Sequence, residues 1–235
     1  MRGANLLMNI LVLGRGKTGS LVAEVARERR HHVDVLNASD NPKASALTAE
    51  KLAPINMVID FTAPNAVLEN VEACIRAKKS IVVGTTGWYG ELPRIRPMVE
   101  DPGCGIGLLY AANFSVGVNL FFEVARSAAA ALQHQYFGQI FERHHAQKKD
   151  APSGTAMALQ KVVQESAGTE LEITSFREGD VVGMHELVLD SPADTIYLCH
   201  TAKSRRGFAD GAVRAAEWLV GKKGIFDFKD VWREL

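Results

Sequence analysis

The chain has 235 residues, enough for one or two domains that each bury a hydrophobic core. Its 27 basic and 27 acidic residues balance, which argues against nucleic acid or a membrane surface as a partner. The opening apolar run is too short for a membrane span and lacks a cleavage-site pattern. Cys74, Cys104 and Cys199 lack metal-ligand spacing, which predicts reduced, mostly buried thiols in a cytoplasmic protein.

A glycine-rich turn follows the first apolar run, residues 10–13, and leads into a helical pattern. The order strand, GxGxxG, helix is typical of dinucleotide sites, where glycines let the pyrophosphate approach the helix N-terminus. An ordinary glycine-rich turn between strand and helix is the alternative. The cofactor-binding residues predicted here are Gly14, Arg15, Gly16, Lys17, Thr18 and Gly19.

Apolar strands then alternate with helices through the first half of the chain. The strands are predicted at residues 33–36, 55–61, 80–83 and 106–110, with a helix at 64–79. Such runs predict a parallel sheet covered on both faces, with ligands beyond the carboxyl ends of its strands. The segments at those ends should ring one crevice. Further cofactor-binding residues predicted there are Phe61, Thr62, Gly84, Thr85, Thr86, Ala111, Ala112, Asn113 and Phe114.

The second half changes character. Helices are predicted at 118–132 and, after Ser153, up to residue 167, with strands at 139–143, 171–177, 182–189 and 195–201 and a last helix after Arg206. Closely spaced strands indicate an antiparallel or mixed sheet. The predicted class is α/β: a Rossmann-like parallel-sheet nucleotide domain, residues 1–113 and 206–235, plus an α+β substrate domain, residues 114–205.

Residues 142–156 carry the densest chemistry of the chain. His144 and His145 can exchange protons near neutral pH, and Lys148 and Lys149 add positive charge. Ser153-Gly-Thr155 is typical of a helix N-terminus, where free backbone N–H groups attract anions. Proton donors, cations and an anion cradle together indicate a site for a small carboxylate substrate.

Less specific interpretations of these residues remain open. The histidine pair could be structural, and Ser153 could serve as a helix cap, as a ligand contact or as both. No metal is predicted, because adjacent histidines on a strand point apart and no cysteine or carboxylate set with ligand spacing accompanies them. Asp150 is expected to brace the turn, and His185 is expected to be structural.

Taken in order, these motifs resemble the 4-hydroxy-tetrahydrodipicolinate reductase (dihydrodipicolinate reductase) family over nearly the whole chain. The run after His144 is the most specific of them. The matching motifs are residues 14–19, Asp60-Phe-Thr-Ala-Pro64, Gly84-Thr-Thr-Gly87, Ala111-Ala-Asn-Phe-Ser-Val-Gly-Val118, His144-His-x-x-Lys-x-Asp-Ala-Pro-Ser-Gly-Thr-Ala156, Arg177-x-Gly-Asp-x-Val-Gly-x-His185 and Phe208-Ala-Asp-Gly-Ala-Val213.

The resemblance implies an enzyme of lysine and diaminopimelate biosynthesis that uses NADPH and/or NADH. Hydride would pass to carbon C4 of a cyclic imine dicarboxylate, with loss of the 4-hydroxyl as water. It implies catalytic roles for His144 as proton donor and Lys148 as second donor or electrostatic partner. It also implies a homotetramer built through the substrate-domain sheets. The substrate-binding residues implied are His145, Ser153, Gly154 and Thr155.

Cofactor preference depends on the end of the second strand. Asn37 stands where an NAD-specific site places an acidic residue for the ribose hydroxyls. A neutral Asn37 would not repel a 2′-phosphate, and Arg15 or Lys17 could attract one, which predicts that NADPH is accepted at least as well as NADH. Asp40 could instead turn in and favour NADH.

Two other functions remain open at this point. The same fold could act on another small dicarboxylate or imine, which a substrate panel would separate. Alternatively, the chain could sense NAD(P) without turnover. His144 and Lys148 argue against a sensor, because a sensor needs no proton donor.

Overall fold

The computed structural model describes residues 7–235 and divides into two compact units. The chain passes from the first unit to the second after Phe114 and returns to the first at Phe208. The strands are β1 (Asn9–Leu13), β2 (His32–Leu36), β3 (Met57–Asp60), β4 (Ser80–Val83), β5 (Gly107–Tyr110), β6 (Phe137–His144), β7 (Ile173–Arg177), β8 (Met184–Asp190), β9 (Thr195–Thr201) and β10 (Gly224–Asp227). The α-helices are α1 (Lys17–Glu28), α2 (Ala49–Leu52), α3 (Pro64–Arg76), α4 (Leu92–Glu100), α5 (Val116–Ala128), α6 (Gly154–Ala167), α7 (Arg206–Leu219) and α8 (Phe228–Val231).

The first unit is built on a six-stranded parallel sheet in the order β10-β5-β4-β3-β1-β2. Successive side chains of β1 enter two different cores: Ile10 and Val12 pack on one face, and Leu11 and Leu13 on the other. Both faces are therefore covered, which explains the continuous apolar strands in the sequence. The prediction of a Rossmann-like parallel sheet is confirmed.

The second unit contains a mixed sheet in the order β7-β6-β8-β9. Strand β6 pairs parallel to β7 and antiparallel to β8, and β9 pairs antiparallel to β8. Ile140, Leu187 and Leu189 of this sheet bury against Leu159 and Val163 of α6. The structure thus confirms an α/β fold with a second, mixed sheet.

Four elements of the first unit were missing from the sequence-based prediction: the short helices α2 and α8, helix α4 and strand β10. Helix α4 contains Pro97, a residue that usually ends helices, and β10 is a four-residue strand that pairs with β5. The predicted helix at 118–132 is also divided, because α5 ends at Ala128 and a 3₁₀ turn continues over Ala129–Gln133. Among residues 7–235, no helix is both long and apolar enough to cross a membrane.

Candidate active site

Two glycines of the first turn are required by close backbone packing. Gly14 has φ +101°, and a Cβ there would lie 2.3 Å from the carbonyl oxygen of Phe61. A Cβ on the buried Gly19 would lie 2.2 Å from the carbonyl oxygen of Gly14. The turn therefore sits directly against the segment that follows β3, and α1 sits directly on the turn.

Gly16 differs from both, because nothing lies within 4 Å of a Cβ built on it. It caps the 12-residue α1 without a side-chain hydrogen bond, so the first N–H groups of the helix are available to an anion. Arg15 and Lys17 flank it in exposed positions, and Thr18 is half-buried. Open space, free donors and positive charge fit the diphosphate of a dinucleotide.

A buried carboxylate, Asp60, organises the ends of β3 and β4. Its Oδ1 accepts from the backbone N–H of Thr62 at 2.8 Å, from the Thr62 hydroxyl at 2.6 Å and from the Thr85 hydroxyl at 3.0 Å. Its Oδ2 accepts from Asn70 at 2.8 Å. Burial raises the pKa of Asp60 against the opposing effect of these bonds. The network fixes Thr62 and Thr85, both predicted cofactor-binding residues, and sequence reasoning assigned no role to Asp60.

The other predicted cofactor segments lie at the same edge of the sheet. A Cβ on Gly84 would lie 2.2 Å from the Phe61 ring, and the rings of Phe61 and Phe114 lie 6.2 Å apart between centroids. Thr86 and Ala112 are exposed, Asn113 is half-buried and Ala111 is buried; all follow the carboxyl ends of β4 and β5. The structure therefore brings these segments together with the glycine turn.

Asn37 directly follows β2, beside the glycine turn, because the N–H of Gly14 donates to the carbonyl of Leu36 at 2.8 Å. Its side-chain amide donates to the Ser39 hydroxyl at 2.7 Å, and that hydroxyl donates to Asp40 at 3.1 Å. The carboxylate of Asp40 is therefore engaged in this local chain.

The second unit presents Glu142 and His144 from one face of β6. Residues 140, 142 and 144 alternate with more exposed neighbours along the strand, so these three side chains point into the unit. Glu142 is 1% exposed and His144 is 7% exposed. The Nδ1 atom of His144 lies 2.6 Å from Oε2 of Glu142, so the strand period itself creates the pair.

Glu142 is held from two further sides. Its Oε1 accepts from Arg177 of β7 at 2.7 Å and from the backbone N–H of Ser153 at 3.2 Å. Burial would raise the pKa of Glu142, but hydrogen bonding by Ser175, Arg177 and Ser153, with the charge of His144, lowers it to about 2. The carboxylate is therefore ionised across the physiological range.

The groups around His144 shift its pKa in opposite directions. Burial lowers its pKa, Glu142 raises it, and Lys148 and Arg177 lower it again, leaving the pKa below its usual value. The ring of His185 packs edge-on against it, with 5.2 Å between centroids. On another side, a Cβ on Gly183 would lie 3.0 Å from Nε2 of His144, so the glycine leaves room beside that nitrogen.

Helix α6 begins at this cluster. Ser153 caps it, accepting from the N–H of Ala156 at 3.2 Å, and its hydroxyl lies 3.2 Å from Nε2 of His185. Gly154 is exposed, with nothing within 4 Å of a Cβ built on it, and Thr155 is half-buried. The cap is thus built in, while the first exposed turn can receive an anion.

The loop between β6 and α6 carries the remaining predicted residues. Lys148 donates to both carboxylate oxygens of Asp150, at 2.7 and 2.8 Å, and the Asp150 carbonyl accepts from Arg177 at 2.6 Å. His145 is half-buried beside them, and its carbonyl accepts from the N–H of Lys148 at 3.1 Å. Asp150 thus braces the loop.

Glu142, His144 and His185 offer three ligand atoms within 4.8 Å of one another, the geometry of a candidate metal site. However, Arg177 already bonds to Glu142, and the positive charge of Lys148 acts on His144. These neighbouring cations disfavour a further one. A site without metal therefore stays our prediction, to be tested by elemental analysis of the purified protein.

Sequence reasoning missed Glu142 and Arg177 and treated His185 as structural. A signal for Glu142 was present: it stands two residues before His144 on a strand, which places both side chains on one face. Arg177 lay inside a matched motif, but its contact with Glu142 joins residues 35 apart in sequence. No sequence pattern indicated that contact.

We expect His185 to weaken folding as the pH falls from about 6.5 to about 4. Burial, then the nearby charge of His144, lowers its pKa to about 4 in the folded state, against about 6.5 when unfolded. The unfolded chain binds more protons in that window, so stability is complete above it and declines as the pH falls. At about 1.4 kcal/mol per pH unit, the effect approaches about 3 kcal/mol.

Urea unfolding of His185→Gln and of the unchanged protein across pH 4.5–7 measures this expectation. The variant should lose most of the decline in stability, whereas His134→Gln, at an exposed position, should keep it. Parallel curves for the unchanged protein and His185→Gln would contradict it.

Two family models match the chain. Residues 8–114 match "Dihydrodipicolinate reductase, N-terminus" and residues 117–232 match "Dihydrodipicolinate reductase, C-terminus". A protein of Christiangramia forsetii named 4-hydroxy-tetrahydrodipicolinate reductase is 37% identical, covering 97% of this chain and 99% of its own length. One of the same name from Laribacter hongkongensis is 39% identical, covering 77% and 74%.

A solved structure resembles the fold. It is a dipicolinate-bound dihydrodipicolinate reductase from Paenisporosarcina sp. TG-14, with a TM-score of 0.78 and 22% identity, covering 96% of this chain and 100% of that one. Aspartate semialdehyde dehydrogenase II from Vibrio cholerae superposes less well, with a TM-score of 0.51 and 11% identity over 92% and 99% of the two chains.

Proposed function

Because the chain belongs to the dihydrodipicolinate reductase family, we propose that it uses His144 as the proton donor. The chain reduces 4-hydroxy-tetrahydrodipicolinate with NAD(P)H. The reaction forms tetrahydrodipicolinate, with loss of water, in lysine and diaminopimelate biosynthesis. The observation that carries the proposal is the buried Glu142–His144 pair, with 2.6 Å between Oε2 and Nδ1, beside the N-terminus of α6.

The first unit holds the cofactor in this proposal. The predicted contacts are the residues of the glycine turn, Gly14 to Gly19, together with Asn37, the segments after β3 and β4 that the Asp60 network anchors, and the segment after β5. Bound NAD(P)H supplies the hydride. The domain limits proposed from the sequence are 1–113 with 206–235 for the nucleotide, and 114–205 for the substrate and for tetramerisation.

His144 supplies the proton that a ring carbon takes up when the neighbouring C4 accepts hydride. A positioned donor contributes about 10²–10⁴-fold to a rate. Lys148 is the second donor or electrostatic partner, and its release from Asp150 would free its ammonium group for a substrate carboxylate.

The two carboxylates of the substrate need matching positive charge and donors. Gly154, exposed at the start of α6, offers its backbone N–H; Ser153, which caps that start, and Thr155, which follows Gly154, are the neighbouring substrate-binding residues in this proposal, and His145 lies near Lys148 in the preceding loop. A carboxylate at a helix N-terminus gains about 0.3–1 kcal/mol when exposed and up to about 2 kcal/mol when partly buried.

The test generates 4-hydroxy-tetrahydrodipicolinate in situ and follows the loss of reduced-cofactor absorbance with NADPH and NADH separately. Oxidation that depends on the substrate supports the proposed function. No oxidation from folded protein that still binds NADPH would contradict it, and would direct attention to another imine substrate.

We expect kcat/KM with NADPH to equal or exceed that with NADH. Neutral Asn37 follows β2, and exposed Arg15 and Lys17 flank the start of α1, so a 2′-phosphate meets attraction rather than repulsion. Asn37→Asp should shift the ratio towards NADH by about tenfold, the effect of about 1.4 kcal/mol. Steady-state kinetics on both proteins measure the ratio. A ratio well below one for the unchanged protein would contradict the assignment.

We also propose a homotetramer built through the outer face of the β7-β6-β8-β9 sheet, and a cytoplasmic location. Phe176 and Tyr197 expose 38% and 57% of their surface on that face, where the rings of Phe141 and Phe176 stack. Apolar side chains on a charged strand surface are typical of an interface. Sedimentation of the purified protein tests the assembly.

The proposed cytoplasmic location rests on the cysteines. Free Cys74, Cys104 and Cys199 are compatible with a reducing compartment.

A further inference from the structure

The buried carboxylate of Glu142 contacts both parts of the proposed substrate site, the proton donor His144 and the start of α6. Oε2 lies 2.6 Å from Nδ1 of His144, while Oε1 accepts from the backbone N–H of Ser153, where α6 begins. Arg177 donates to the same Oε1 at 2.7 Å and also to the carbonyl of Asp150. No part of the carboxylate faces water, since the side chain is fully buried.

We propose that Glu142 is a positioning residue that fixes the ring orientation and protonation state of His144, so that Nε2 is the nitrogen that gives its proton to the substrate. The inference rests on the proposed function, because it assigns Glu142 to the same proton transfer. Glu142 itself keeps its charge throughout and contacts neither substrate nor cofactor.

Geometry separates the two nitrogens of His144. An ionised carboxylate 2.6 Å from Nδ1 favours a proton on that nitrogen and leaves Nε2 to exchange with the substrate. Gly183 supports this assignment, since a Cβ there would lie 3.0 Å from Nε2 and crowd that side of the ring. The proton that leaves Nε2 is replaced from solvent after turnover.

Charge explains why the carboxylate is needed. The groups that face His144 are Glu142 on its own strand, Arg177 on β7, His185 on β8, and Lys148 in the loop. Arg177 and Lys148 oppose the imidazolium form, as does burial, while Glu142 favours it. Removing the charge of Glu142 would lower the pKa of His144 further and so reduce the fraction of His144 that carries the proton to be donated.

A second trio of the same composition supplies a contrast. In the first unit, Glu217 pairs with Arg29 and, at 2.9 Å, with Nε2 of the buried His31. There the other ring nitrogen accepts from the backbone N–H of Met8, so both nitrogens of His31 have structural partners. Glu217→Gln therefore removes an equivalent carboxylate without touching the proposed donor, which makes it a matched control.

The experiment compares Glu142→Gln, Glu142→Asp and Glu217→Gln by the pH dependence of kcat. For Glu142→Gln we expect kcat to fall about 10²-fold or more at pH 7, with KM changing less than about threefold. The decline of kcat at high pH should move to lower pH by about one unit, because the imidazolium loses its partner. Glu142→Asp should recover part of kcat and most of the shift, whereas Glu217→Gln should leave both unchanged.

Nitrogen-15 NMR of histidine-labelled protein supplies a readout that does not require turnover. The signals of His144, assigned by their absence in His144→Gln, should report a proton on Nδ1 and titrate at lower pH in Glu142→Gln. If the unchanged protein lacks reductase activity, the proposed function fails while this titration still tests the pair. Identical titrations and superimposable pH profiles for Glu142→Gln and the unchanged protein would overturn the inference.

Glu142→Gln could also fail to fold, since Arg177 would lose its carboxylate partner. Gly183→Ala then tests the same assignment from the other side of the ring, because its added Cβ approaches Nε2 and leaves Glu142 intact. We expect a fall in kcat of about tenfold or more with KM nearly unchanged. An unaltered kcat in folded Gly183→Ala would count against Nε2 as the donating atom.

Discussion

His144→Gln is expected to lower kcat by about 10²–10⁴-fold while KM stays within about threefold of its usual value. Glutamine fills much of the space of the imidazole and can still reach Glu142, but it has no proton to give near neutral pH. The lost interaction belongs to the transition state, so the change appears in kcat rather than in substrate binding. Steady-state kinetics at saturating NADPH, with in-situ substrate, measure both constants.

The control for this prediction is a histidine away from the cluster. His134 is exposed after the 3₁₀ turn that follows α5, and His134→Gln should leave kcat within about twofold. Binding of NADPH should be unchanged in both variants, which separates loss of chemistry from loss of fold. Near-normal kcat in folded His144→Gln would show that another group gives the proton.

Much of the first unit follows from local sequence rules. Strands β1, β3, β4 and β5 are largely apolar runs, and Gly14 and Gly19 after β1 are required because a Cβ on either would lie 2.2–2.3 Å from a backbone oxygen. In contrast, β10 is only four residues long and its partner β5 lies more than a hundred residues earlier, so nothing local marks it. Helix α4 was not predicted because it contains Pro97, and proline inside a helix is normally disfavoured.

The candidate site likewise has a part that the sequence reveals and a part that depends on the tertiary fold. His144, Lys148 and the start of α6 lie within one short segment, so their chemistry can be recognised as a group in the sequence. The surroundings of the Glu142–His144 pair depend on the tertiary fold: Arg177 of β7 donates to Glu142, and His185 of β8 packs edge-on against the ring of His144. Contacts between residues so far apart in sequence follow no sequence period, so they are seen only in the structure, whereas the two-residue spacing of Glu142 and His144 on one strand could have been recognised in the sequence.

The other large effect is expected at the glycine turn, where two neighbouring glycines should respond differently to alanine. Gly14→Ala places a Cβ 2.3 Å from the Phe61 carbonyl at a φ of +101°. Backbone strain and overpacking each cost about 1–3 kcal/mol, so we expect the free energy of unfolding to fall by about 2–6 kcal/mol. Urea unfolding monitored by circular dichroism measures this loss.

Gly16→Ala is the matched variant, because its φ of −68° suits any residue and nothing lies within 4 Å of the added Cβ. The fold should keep its stability to within about 0.5 kcal/mol. The methyl group would nevertheless stand at the free N-terminus of α1, where the diphosphate must approach the backbone closely, so Kd for NADPH should rise about tenfold or more. Fluorescence titration measures Kd. Equal stability losses in the two variants would contradict the close packing assigned to Gly14. Unchanged NADPH affinity in Gly16→Ala would show that the diphosphate lies elsewhere.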